Sequence, residues 1–178
     1  MKRLVIIAAF IALLLLFTSC AKNKGDMEAI ETQEVEHAPY SSLKYYGFDV
    51  RPEGEPSGFF KTKNQDLIDD VWFALKQEEW AKDDHGTIAL VAIRLEFAPG
   101  KIMLIYPNNI GEYITDEYSY ACYPAMEAPM EERTFYSMPE DVYKSVADLL
   151  HEYTKDAFNE GRYHYEVDAY VIEEKEDP

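Results

Sequence analysis

The most restrictive feature of this chain lies at its middle, where two apolar segments are joined by Ala98-Pro99-Gly100-Lys101. Side chains of a strand alternate between its faces, so in Thr87 to Phe97 the residues Val91, Ile93, Leu95 and Phe97 point one way and Arg94 and Glu96 the other. Proline presets the backbone at the second position of a tight turn, and glycine accepts positive φ at the third. Ile102 to Tyr106 then returns as the partner strand. The hairpin commits this part of the chain to an antiparallel sheet.

The flanks carry helical as well as strand signals. Tyr45 to Val50 reads as a first strand, closed by the Pro- and Gly-rich loop Arg51 to Gly58, after which Phe59 and Phe60 pack where the chain re-enters the body. Leu67, Ile68, Val71, Trp72 and Leu75 recur at helical spacing and predict an amphipathic helix from Gln65 to Ala81, with Asp66, Asp69, Asp70, Gln77 and Glu78 largely on the other face. Thr62 and Gln65 form a capping-box pattern, with Asn64 as a competing cap, and the early aspartates complement the helix dipole. Lys82 to Gly86 is the loop that follows.

Beyond the hairpin, Asn108-Asn109 predicts a turn, and Ile110 to Thr115, Tyr118 to Tyr123 and Thr134 to Tyr136 predict strands. Ser137 and Glu140 form a second capping box, with Pro139 tolerated in the first turn. An apolar stripe of Val142, Tyr143, Val146, Leu149, Leu150 and Tyr153 extends to Phe158, and Gly161 stops this helix. Tyr163, Tyr165, Val167 and Ala169 alternate in a last strand before the acidic tail Glu173 to Pro178. The order predicts an α+β domain: an antiparallel β-sheet with two amphipathic helices packed on one face. The opposite face is then left for solvent or a partner, and function is to be sought there.

The N-terminus has a different grammar. Met1-Lys2-Arg3 is followed by an uninterrupted apolar run from Leu4 to Phe17 and then by Phe17-Thr18-Ser19-Cys20. This resembles the signal peptide and lipobox of bacterial lipoproteins, with Phe17 where that family usually carries Leu. The resemblance implies cleavage after residue 19, lipid attachment at Cys20 and a location on the extracytoplasmic side of a cell membrane. An uncleaved membrane helix is the alternative, but a span needs about 20 apolar residues, and polar Ala21 to Gly25 follows at once. Residues 20–40, with Asp26, Glu28, Glu31, Glu34 and Glu36, are too poor in large apolar groups to fold and read as an acidic flexible tether. Residues 41–178 form the globular domain.

Charge and cysteine count narrow the partners. Loss of Lys2 and Arg3 with the leader leaves 15 basic against 34 acidic residues. Such a surface repels nucleic-acid phosphates and anionic headgroups alike, so nucleic acid is excluded as a partner and the bilayer is reached through the lipid on Cys20. With Cys20 consumed, Cys122 has no intramolecular partner; it reads as a small buried apolar side chain, and the core alone must hold the fold.

No motif for catalysis, metal or cofactor is present. His37, His85, His151 and His164 are scattered without ligand spacing, and no nucleotide-binding or nucleophile-elbow pattern occurs. Asp83-Asp84-His85-Gly86 has two adjacent carboxylates, where a calcium loop spreads its ligands over about 12 residues; it reads as a solvated connection. The tyrosines on predicted strands are the remaining candidates. Tyr118 and Tyr120 share a face by the two-residue period, and Tyr113 meets them across the turn as a binding face; Tyr123 and Tyr136 are further strand tyrosines. The competing explanation is that tyrosine simply favours strands.

The segment from Asn64-Gln65-Asp66-Leu67-Ile68-Asp69-Asp70 through Ile114-Thr115-Asp116-Glu117-Tyr118 to Tyr136-Ser137-Met138-Pro139-Glu140-Asp141-Val142-Tyr143 is loosely similar to small uncharacterised extracytoplasmic lipoproteins of Gram-positive bacteria. The resemblance implies the same order of elements and transfers no functional residue. The expectation is a membrane-tethered, non-enzymatic binding or regulatory module for a protein or cell-wall ligand. An envelope hydrolase and a passive structural lipoprotein are the alternatives.

Overall fold

The computed structural model describes residues 36–54, 58–85, 89, 91–114 and 133–175. The leader, Cys20, Tyr118, Tyr120, Cys122 and Tyr123 lie outside the described residues. Among the described residues nine strands form one sheet: β1 (Leu43–Tyr46), β2 (Phe60–Thr62), β3 (Ala81–Asp83), β4 (Ile93–Ala98), β5 (Lys101–Tyr106), β6 (Ile110–Ile114), β7 (Phe135–Ser137), β8 (Tyr163–Glu166) and β9 (Ala169–Ile172). Helix α1 spans Gln65–Ala74 and helix α2 spans Val142–Asn159. The class is α+β, and the strand order is β3-β7-β6-β5-β4-β1-β2-β9-β8.

The expected hairpin is the centre of this order. Ile93 faces Ile105 and Leu95 faces Met103, with a bulge between Glu96 and Ala98 before the Pro99-Gly100 turn. Gly100 adopts φ 74°, a conformation that side chains disfavour. The sheet is mixed rather than wholly antiparallel, because β2 and β9 run parallel with Phe60 opposite Tyr170. That pairing joins segments more than 100 residues apart, beyond the reach of any local pattern. The expected single last strand is instead the hairpin β8–β9, and Val167 sits exposed at its turn.

Helix α1 ends at Ala74, seven residues short of the expected Ala81. Lys76 takes the left-handed conformation at φ 47°, and the Trp80 indole donates to the Leu75 carbonyl at 2.8 Å, satisfying an acceptor left over at the helix end. After one 3-10 turn at Gln77–Glu79, residues expected in helix and loop join the sheet edge as β3 opposite β7. At the other end Asn64 is the cap, accepting from the Leu67 amide at 2.9 Å. Thr62 turns instead to Tyr153, with 2.8 Å between their hydroxyl oxygens. The second capping box does not form either: Ser137 belongs to β7, and α2 begins after Asp141 without a side-chain cap. Gly161, at φ 68°, closes α2 as expected, donating to Phe158 while Arg162 donates to Ala157.

Alternation divides the sheet's buried residues between two faces. On the first, Leu43, Tyr45, Phe60, Ile93, Leu95, Phe97, Met103 and Ile105 share one cluster with Leu67, Ile68 and Val71 of α1 and Val142, Val146 and Leu150 of α2. Tyr45 is fully buried, its hydroxyl 2.6 Å from that of Thr154, and burial pushes its pKa far above the ordinary phenol value. On the second face, expected to be open, Ile102, Leu104, Tyr106, Ile110 and Phe135 form a separate buried cluster. Toward β1 and β2 that face instead carries the half-buried Lys44 and the exposed Lys61. Residues from Glu36 onward belong to the globular unit. His37 Nδ1 lies 2.6 Å from an Asp69 oxygen, the Ala38 amide donates to the other at 2.9 Å, and Ala38 is buried.

Candidate functional site

Tyr113 is the one residue of the expected tyrosine face that the described structure places, and its position differs from the expectation. It pairs with Met103 across β5 and β6, which puts it on the first face rather than the second. Tyr136 arrives from β7, where it faces Gly111 and Lys82. Trp80 lies directly over Gly111: a Cβ there would come within 2.6 Å of the indole, so the glycine is what lets the ring rest on the strand. The centroids of Trp80 and Tyr113 are 5.3 Å apart, as are those of Tyr113 and Tyr136, the second pair edge to face at 79°.

The early end of α1 assembles the rest. The turn at Gln77 brings an amide to the Tyr113 hydroxyl, which donates to it at 3.1 Å. Trp72 of α1, Tyr40 from the segment before β1 and Phe97 at the end of β4 form a second group of rings: Tyr40 to Trp72 is 5.1 Å, Tyr40 to Phe97 5.3 Å and Trp72 to Phe97 5.2 Å at 82°. Between the two groups opens a pocket of about 290 Å³, lined by Tyr40, Trp72, Phe97, Met103 and Tyr113, with Gln77, Gly100 and Lys101 also on its wall. Phe97 and Met103 are buried, while Tyr113 is 43 % exposed. Burial and the neighbouring Tyr136 raise the Tyr113 pKa, so its hydroxyl stays neutral and able to donate.

Such a site has aromatic walls and a few polar edges, the general make-up of small-molecule pockets. Ring faces attract C–H groups and cations through their quadrupole, and the amide, phenol and ammonium groups orient what they hold. The chain has two tryptophans, and both are here: Trp72 on the pocket wall and Trp80 behind Tyr113. Trp72 and Phe97 carried only a core signal in the sequence, and Tyr40 fell within the expected tether. Gln77 and Trp80 lay within the expected helix. Nothing local announces that they converge, since the convergence depends on where α1 stops.

The second face holds a different constellation. Arg133 and Glu112 form a bidentate pair, Nε to Oε1 at 2.8 Å and Nη2 to Oε2 at 2.6 Å, with their side chains 2 % and 5 % exposed. Tyr106 donates to Glu112 at 3.2 Å, and the guanidinium lies 4.9 Å from the Phe135 ring. Burial, then the Glu112 charge, push the Tyr106 pKa well above its ordinary value. The bonds that Arg133 donates to Glu112 raise the pKa of the guanidinium. This network is closed to ligands and fixes β6 against the segment leading into β7. Among the described residues no three metal-ligating side chains cluster, and no helix is long and apolar enough to cross a membrane.

Comparison with protein-family models, with curated proteins and with solved structures finds no match. The class is therefore defined by the molecule itself: an α+β domain with an aromatic pocket between α1, the central hairpin and β6.

Proposed function

We propose that this protein is an extracytoplasmic lipoprotein, anchored through lipid on Cys20, whose domain is a non-enzymatic binding module for a saccharide of the cell envelope. The observation that carries the reading is the aromatic pocket. A pyranose presents a C–H face suited to the rings of Trp72 and Tyr113, and its hydroxyls suit Gln77 and Lys101. We further infer that α1 and α2 lie on the same face of the sheet, an arrangement supported by their side chains entering one cluster with Tyr45, Leu95 and Met103. The pocket then occupies the part of that face beyond α1.

The test titrates the full chain in detergent with envelope-derived oligosaccharides and follows tryptophan emission. A saccharide that binds shifts the emission, and Tyr113→Ala weakens it about tenfold, the loss of one aromatic contact. No shift with any saccharide, or unchanged affinity in Tyr113→Ala, refutes the pocket reading. Anchoring is tested separately: Cys20→Ala abolishes metabolic labelling with a fatty acid, and a label that persists overturns it.

A further inference from the structure

A second cavity, wider than the aromatic pocket, lies on the second face. It is a cleft of about 680 Å³ floored by Lys44 of β1 and Lys61 of β2, with Glu96, Ala98 and Pro99 on one side and the β8–β9 turn from Tyr165 to Ala169 on the other. Lys44 and Lys61 are directly opposite in the β1–β2 register, which sets their Cβ atoms about 5 Å apart. Like charges so placed repel. In a chain with twice as many acidic as basic residues, a carboxylate beside each would be easy to supply.

Among the described residues neither lysine forms an ion pair. Glu96 is the cross-strand partner of Lys44, yet the ion pair it makes is with Arg94, at 3.7 Å. The Lys44 ammonium instead lies 4.6 Å from the centroid of the Phe59 ring, and Lys61 is exposed. Two lysines thus sit side by side at the floor of a concave site. The walls carry the opposite sign in Glu96, Glu166 and Asp168, and an apolar lip in Tyr165 and Val167, which are 70 % and 88 % exposed.

We propose that this cleft binds a small zwitterion, an amino acid or short peptide with free ends, whose carboxylate sits between Lys44 and Lys61. A carboxylate has two oxygens to offer two ammonium donors, and bonds between ionised partners are the stronger kind. The ligand's amine lies toward the wall carboxylates, and its side chain meets the lip. A polyanion suits the floor but is repelled by the walls. The site is independent of the saccharide reading, and the two tryptophans, both at the aromatic pocket, do not report on it.

Calorimetric titration of the full chain with dialanine, at low and fixed salt, tests this. The expected result is saturable binding without a change in tryptophan emission. Lys44→Gln combined with Lys61→Gln weakens it about 10- to 100-fold, the range for losing hydrogen bonds to charged groups, and amidating the dipeptide's carboxylate does the same. Thermal unfolding of the double variant confirms an intact fold, because both lysines reach solvent in the cleft. Failure of dialanine to bind, equal binding by the double variant, an accompanying shift in tryptophan emission, or tighter binding of inorganic phosphate would each overturn the assignment.

Discussion

The two halves of the second sheet face treat charge in opposite ways. Toward β6 and β7, Arg133 and Glu112 are closed on each other in a dry cluster with Tyr106 and Phe135. Toward β1 and β2, Lys44 and Lys61 stand side by side at the floor of an open cleft with no carboxylate between them. Removing a charge from water is costly unless a partner and hydrogen bonds offset it. The dry half therefore needs its pair, whereas the open half tolerates repulsion because water screens it. A charge that is fully partnered serves the fold; one held in a cleft without a partner is available to a ligand.

Breaking the closed pair should have the largest effect. Arg133→Met leaves Glu112 buried and uncompensated and is expected to cost about 3–5 kcal/mol of stability, read as a lowered urea midpoint. Loss below about 1 kcal/mol, the scale of an exposed pair, would mean that water reaches the site and that the two halves do not differ in kind.

An intermediate case is Glu174, part-buried, whose carboxylate accepts from the Tyr153 hydroxyl at 2.8 Å and from the Lys63 and Asn64 amides at 3.0 and 3.1 Å. Burial opposes ionisation there, but the bonds from Thr62, Tyr153 and the two amides outweigh it and hold the pKa below the ordinary 4.5. A carboxyl with a depressed pKa in the folded state contributes stability above its ordinary value and loses it as pH falls through the lower one. Glu174→Gln should cost about 1 kcal/mol at pH 7, and its unfolding midpoint should converge with that of the parent chain as the pH drops below 4.5. A gap of constant size down to pH 3 would contradict the clamp.

The smallest effect belongs to the lysines. Replacing both with Gln removes a repulsion at an open site, so stability should stay within about 0.5 kcal/mol or rise slightly. A loss above about 2 kcal/mol would show that they are partnered after all and would erase the contrast.

Much of this fold is legible in the sequence. The hairpin around Pro99-Gly100, the strand at Ile110, the stripe of α2 and its stop at Gly161 are where local chemistry puts them. Local signals failed where a distant partner competed. Helical spacing ran on through Trp80, but Ala81–Asp83 found β7 to pair with, and Lys76 turned the chain to deliver it there. Thr62 had a capping pattern and gave it up to Asn64 while its hydroxyl met Tyr153 and Glu174. Arg94 alternates as a solvent-facing residue should, yet only 5 % of it is exposed.

For the candidate sites the balance is harsher. Tyr113 was visible as a strand tyrosine, but its face depended on register with β5 and on the rings of Trp72 and Trp80 arriving from α1 and the turn after it. Lys44 and Lys61 are 17 residues apart and unremarkable until β1 and β2 pair. By itself the sequence determined the periods, the turns and the acidic composition, and the proposed export and lipidation rest likewise on contiguous residues. The tertiary structure alone decided where α1 ends, the parallel pairing of β2 with β9, which half of the second face is dry, and which rings and charges meet. Those outcomes depend on pairing and burial between segments distant in the chain, and no window of neighbouring residues contains that information.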